Sequence, residues 1–137
     1  MAKSNGTFTV YSKSSLSALR EYPLPVTNSW TREISPDGRH LACWCDDGRV
    51  RVFETKRLTQ TSAFETQENG QLALAFSPDG RVLAGCASKR MWAWDLESQT
   101  EIMRDDMKPF GGVLAVAFSL DGRWVACSEW GSSTAVV

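Results

Sequence analysis

The hydrophobic pattern is clearest between Leu72 and Asp95, where short apolar runs alternate with polar turns. Leu72–Phe76 is apolar at every position, as expected for a strand buried on both faces. Ser77-Pro78-Asp79-Gly80 is turn chemistry. Proline presets φ at the second position of a type I turn, aspartate tolerates the third, and glycine takes the left-handed position that closes the hairpin. Arg81–Ala87 then reads as the return strand, Ser88-Lys89 as a second turn and Arg90–Trp94 as a third strand. Strand alternation puts Met91, Ala93 and Asp95 on one face and Trp92 and Trp94 on the other. Thr100–Arg104 supplies a fourth, outer strand.

This unit recurs. Ser35-Pro36-Asp37-Gly38-Arg39, Ser77-Pro78-Asp79-Gly80-Arg81 and Ser119-Leu120-Asp121-Gly122-Arg123 start at 35, 77 and 119, each 42 positions after the last. Leu41-Ala42, Leu83-Ala84 and Val125-Ala126 follow the turns, and Ala75-Phe76 and Ala117-Phe118 precede the second and third. A period in the low forties with several strands per unit predicts propeller blades rather than a helical solenoid. The expected fold class is all-β, a partial β-propeller of four-stranded antiparallel blades.

These residues resemble the WD-repeat family: a Phe-Ser-Pro-Asp-Gly turn, a Leu-Ala return strand and a closing Trp94-Asp95. The resemblance covers nearly the whole chain, and three phased copies make it more specific than one motif. It implies a non-catalytic platform whose exposed loops and channel mouth hold proteins or peptides. It also implies that Asp47, six residues before Phe53, fixes the Asp46-Asp47-Gly48 turn; Asn5 and Ser88 stand at that place in the other copies. The family's Gly-His pair is absent, since Pro25, Gln67 and Pro109 occupy the corresponding positions, so its full hydrogen-bonded tetrad cannot form. Apolar packing is expected to carry most of the stability.

Residues 6–24 read as a partial blade, 30–67 and 72–107 as full blades, and 113–137 as a second partial blade. In the first, Gly6–Tyr11 matches Gly48–Phe53, which sets Tyr11 and Phe53 at the position of Trp94, and Leu16–Leu24 is the expected outer strand. Arg32 and Glu33 fall where later copies carry Leu74-Ala75 and Val116-Ala117, so this inner strand is expected to be exposed beside a missing or loose neighbour. The inventory is two, four, four and three strands, thirteen in all, the last beginning at Thr134. Propellers have at least about four blades. The chain is therefore expected to be a fragment of a longer ring or a protomer that completes one with a second copy. Its terminal faces are expected to leave Phe8, Val10, Leu114, Val116 and Val125 open.

Composition narrows the function without naming it. With 42% hydrophobic and 23% charged residues and a net charge of −1, nothing draws the chain to nucleic acid or an acidic membrane, and neither is expected as a partner. No apolar run is long enough to span a bilayer, and Met1–Thr7 lacks the apolar core of a signal peptide. A cytoplasmic protein is the default, with the nucleus as the other compartment. Cys43, Cys45, Cys86 and Cys127 all lie on return strands without metal or redox spacing, so they read as buried free thiols.

Little catalytic chemistry is available. His40 is the only histidine and has no nucleophile and carboxylate at triad spacing. No phosphate loop or paired metal ligands occur, so no enzyme activity, metal or cofactor is expected. Asp37, Gly38, Asp79, Gly80, Asp121, Gly122 and Asp47 read as structural turn residues. Loops 25–30, 67–71 and 108–112, with 46–48, 87–89 and 129–133, are expected to line one face. Aromatic and arginine residues dominate interface energetics, which makes Trp30, Arg32, Lys89, Phe110 and Trp130 the contact candidates. The alternatives are a propeller enzyme, which would need convergent acidic or histidine residues, and a truncated product without independent function.

Overall fold

The computed structural model describes residues 5–11, 14–15, 17–27, 29–68, 72–87, 90–106 and 113–129. These residues form strands and no helix. In chain order they are β1 (Asn5–Tyr11), β2 (Ala18–Thr27), β3 (Ser29–Ile34), β4 (His40–Cys45), β5 (Arg49–Glu54) and β6 (Thr59–Glu65). There follow β7 (Leu72–Phe76), β8 (Val82–Ala87), β9 (Arg90–Asp95), β10 (Thr100–Asp106), β11 (Val113–Phe118) and β12 (Val125–Glu129). Four antiparallel meanders result: β1-β2, β3-β4-β5-β6, β7-β8-β9-β10 and β11-β12. This is the architecture of partial propeller blades.

The two four-stranded sheets share an apolar layer. Ala42, Trp44, Val50, Val52 and Phe64 of the first meet Leu72, Leu74, Phe76, Leu83, Trp92 and Trp94 of the second. Alternation along β8 then turns Ala84 and Cys86 to the far side, where with Ala75 and Met91 they meet Val116 and Cys127 of the β11-β12 sheet. The opposite face of the first sheet carries Leu41, Cys43, Cys45 and Phe53. Polar bonds add to the packing between the two larger sheets: the Thr31 hydroxyl donates to the Leu72 carbonyl at 2.5 Å and the Gln99 amide to the Thr61 carbonyl at 3.1 Å. Every position of β10 is exposed, and Asp106 and Glu101 there pair with Arg90 and Arg104. Such charges on an outermost strand oppose edge-to-edge association.

Trp94 sets the tightest fit. Its ring is fully buried and stacks on Phe64 at 5.2 Å between centroids and on Trp92 at 6.1 Å. A Cβ at Gly85 would lie 2.9 Å from two carbons of that ring and 3.5 Å from Leu74 Cδ2. In the preceding sheet the same register places Phe53 opposite Leu41 and Cys43 two residues on, as Trp94 stands opposite Leu83 with Gly85 two residues on. The larger ring is thus matched by the loss of a side chain. Two residues separate β8 from β9 where three separate β4 from β5, so Trp94, one position before Asp95, is the register equivalent of Phe53.

Several expectations need correction. Cys86 and Cys127 are not free thiols but a disulfide joining two sheets; Cys43 and Cys45 are free and buried. The repeat itself explains the pairing, because Cys86 faces the next sheet and Cys127 faces the previous one. Val116 and Val125 are not on an open face: they pack against the β7-β10 sheet, and the exposed side of β11 presents Ala115 and Ala117 instead. Phe8, Val10 and Leu114 have side chains outside the described residues. The first outer strand runs from Ala18 to Thr27, through both prolines; Pro23 lies opposite Thr7, and Pro25 falls in a register shift of an edge strand, where a missing N–H is tolerated. Residues 25–30 are therefore not a loop but the end of β2 and the start of β3 on either side of Asn28. Twelve strands are described, and the thirteenth, expected from Thr134, lies outside the described residues.

Gly85→Ala is expected to lower stability by about 1–3 kcal/mol through overpacking. Adding Trp94→Phe to it should recover part of that loss, because Phe53 coexists with Cys43 at the matching positions. Urea denaturation of both single variants and the double variant checks this, and strict additivity would count against the fit described.

Candidate functional site

The two rims of the sheets differ in chemistry. On one rim lie the three repeated turns, and their geometry is the same each time. Gly38, Gly80 and Gly122 have φ of +71°, +73° and +70°, and their N–H groups donate to the carbonyls of Ser35, Ser77 and Ser119 at 2.8–2.9 Å. Each serine hydroxyl donates to the aspartate two residues on at 2.6 Å. Each serine oxygen in turn accepts the main-chain N–H five residues on, that of His40, Val82 or Trp124, at 2.9–3.0 Å. The aspartates also accept the N–H groups of Arg39, Arg81 and Arg123. These donors, the serine first, hold the carboxyls of Asp37, Asp79 and Asp121 below the usual carboxylate range.

On the opposite rim, the 46–48 turn is built differently. Gly48, at φ +75°, donates to the Cys45 carbonyl at 3.1 Å, and its own carbonyl accepts both the N–H and the hydroxyl of Thr66, at 3.0 and 2.8 Å. The Asp47 carboxylate takes a two-pronged bond from Arg51, at 2.9 and 2.5 Å, and the Arg49 N–H at 3.3 Å. The Arg51 bond is the first cause holding Asp47 low, and the same bond pushes Arg51 up. Arg49 pairs with Glu65 at 2.7 Å on this rim. Beneath it, burial pushes the Cys43 thiol up to about 12 and raises Cys45 as well, so neither is a ready nucleophile.

Among the contact candidates, Arg32 is exposed on β3, opposite Cys43 in the strand register. Trp30 is the second residue of that strand. Lys89, Phe110 and Trp130 lie outside the described residues, as do loop 108–112 and most of loops 67–71, 87–89 and 129–133. The structure therefore brings Trp30 and Arg32 onto one strand and places the other three nowhere. Sequence reasoning missed Arg51 and Thr66. A charge interrupting Val50-Arg51-Val52 four residues after Asp47 was the signal for the first; Thr66, a polar residue just past the outer strand, carried none.

Three copies of one turn, two complete four-stranded meanders and a shared aromatic layer meet a family description of the same kind. "WD domain, G-beta repeat" matches residues 19–54, 58–95 and 108–134. The chain belongs to the WD repeat family. Members are protein-interaction scaffolds, and this chain falls in that class. A curated relative, "Transcription initiation factor TFIID subunit 5" of Caenorhabditis elegans, is 26% identical over 133 residues, covering 96% of this chain and 20% of the relative. The chain thus spans about a fifth of that protein's length.

The lowered aspartates fix the sign of an acid effect. A carboxyl held below its unfolded value contributes stability above the usual carboxylate range, near pH 4, and that contribution is lost as pH falls through the lowered value. The denaturation midpoint is expected to fall between about pH 5 and pH 3. Asp79→Asn, which keeps an acceptor oxygen for Ser77, should shrink that fall. An equal acid response in parent and variant would show that the turn carboxylates do not contribute.

Proposed function

We propose that the chain is a non-catalytic docking platform, part of a larger propeller assembly, that holds a protein or peptide on the rim carrying the 46–48 turn. One observation supports this above others. Ser35, Asp37 and His40 are the residue types of a hydrolytic triad, yet the serine hydroxyl donates to the aspartate and accepts from the histidine main chain. Val82 and Trp124 serve as well as His40 in the other two copies. The trio is a turn device that leaves no activated nucleophile. Among the described residues no group of three or more His, Cys, Asp or Glu is arranged to hold a metal ion.

The contact residues in this reading are Trp30, Arg32, Lys89, Phe110 and Trp130, by the weight of aromatic and arginine side chains at interfaces. Of the two compartments expected from the sequence, the transcription-factor name of the relative favours the nucleus.

The test is cross-linking of the chain to subunits of a transcription-factor assembly, with binding measured for Arg32→Glu and for Glu97→Lys on the turn-bearing rim. Arg32→Glu is expected to weaken binding about tenfold or more and Glu97→Lys to leave it unchanged. Hydrolysis of an ester or peptide reporter that is lost in Ser35→Ala would overturn the non-catalytic reading.

A further inference from the structure

The Cys86–Cys127 bond sits where two sheets meet, and the repeat shows what it replaces. Trp44 and Gly85 are the residues 42 positions before Cys86 and Cys127, so the preceding interface fills the same pair of sites with an indole and a glycine. That interface is built on large rings, with Trp92, Trp94 and Phe64 stacked together. The interface around the disulfide has Ala75, Ala84, Val116 and Met91 at its buried centre, with Ala73, Val125 and a single ring, Phe118, half-buried around them. Small side chains bury less apolar surface and hold two sheets less firmly. A covalent bond therefore supplies a larger share of the attachment here.

We propose that Cys86–Cys127 is a reversible redox latch that fixes the β11-β12 sheet against the β7-β10 sheet. In the forward step two protein thiols reduce one low-molecular-weight disulfide such as oxidised glutathione. One S–S bond forms in the protein, the small disulfide is cleaved, and both of its halves leave as thiols carrying the two protons. Reduction is the reverse. Three features suit a latch. The bond joins residues 41 apart in sequence, so opening it frees a long loop. Cys127 packs on the face of the β7-β10 sheet opposite the layer of Trp92, Trp94 and Phe64, so opening the bond leaves the aromatic layer in place. Cys43 and Cys45 are on another sheet with thiols raised by burial, which keeps them from attacking the bond, since exchange needs a thiolate.

The test equilibrates the whole chain over a range of reduced-to-oxidised glutathione ratios, quenches with acid, and counts thiols by maleimide mass labelling after unfolding. Two thiols are expected to disappear together at oxidising ratios and return at reducing ones, while Cys43 and Cys45 stay reduced throughout. Reduction should lower the thermal midpoint by roughly 5–10 °C. It should also speed tryptic cleavage at Arg123, which is exposed between β11 and β12, and leave cleavage in the β3-β6 sheet unchanged. Cys127→Ala should show the reduced behaviour at every ratio, and Cys43→Ala should respond as the parent does. Four free thiols at every ratio would overturn the proposal, and so would a bond that no ratio reduces. A redox response of the same size in Cys127→Ala would overturn it too.

Discussion

Each complete sheet in this chain is apolar on both faces, and that single constraint governs the rest. A two-stranded or four-stranded meander with polar outer positions could stand alone on one layer; a sheet with Trp92 and Trp94 on one side and Ala84, Cys86 and Met91 on the other cannot. Neighbours must cover both sides. Blades consequently stack, strand order follows chain order, and the charged outermost strand β10 is left to face water. Ile34 and Arg32 are exposed on the innermost strand of the β3-β6 sheet, at the positions that Phe76 and Leu74 bury in the next one.

Repetition made much of the fold legible. The spacing of the Ser-x-Asp-Gly turns located β3-β4, β7-β8 and β11-β12 within a residue or two, because a hydroxyl, a carboxylate and a left-handed glycine at fixed offsets specify one hairpin. The equivalence of Phe53 and Trp94 was legible as well, despite the shortened turn, since the aromatic ends a strand of the same pattern. What the sequence hid was any contact between two copies. The disulfide requires knowing that residue 86 faces forward and residue 127 backward, which depends on the absolute direction of each strand's pleat and not on its period. The same ignorance put Val116 and Val125 on the wrong face. The outer strand expected over 16–24 runs instead from Ala18 to Thr27, because an edge strand with a register shift accepts Pro25 as well as Pro23.

The matched pairs at the two described interfaces show how a repeat diverges without losing its fold. Trp44 and Gly85 hold the repeat positions that Cys86 and Cys127 occupy at the next interface. Gly85 and Trp94, against Cys43 and Phe53, are another such exchange. In the second case the larger ring on β9 is answered by the missing side chain on the neighbouring strand β8. Volume-conserving exchanges of this kind are the ones a close-packed interior tolerates.

Function in such a scaffold belongs to what does not repeat. A residue that recurs every 42 positions is answering a demand of the blade, as Asp37, Asp79 and Asp121 do by closing their turns with Ser35, Ser77 and Ser119. Asp47 is different. Its carboxylate is held by Arg51 in a two-pronged bond, and β9 carries Trp92 at the register position of Arg51. Arg32 likewise has apolar counterparts in Leu74 and Val116. The repeated polar groups close the blades, whereas Asp47, Arg51 and Arg32 mark where one copy departs from the next.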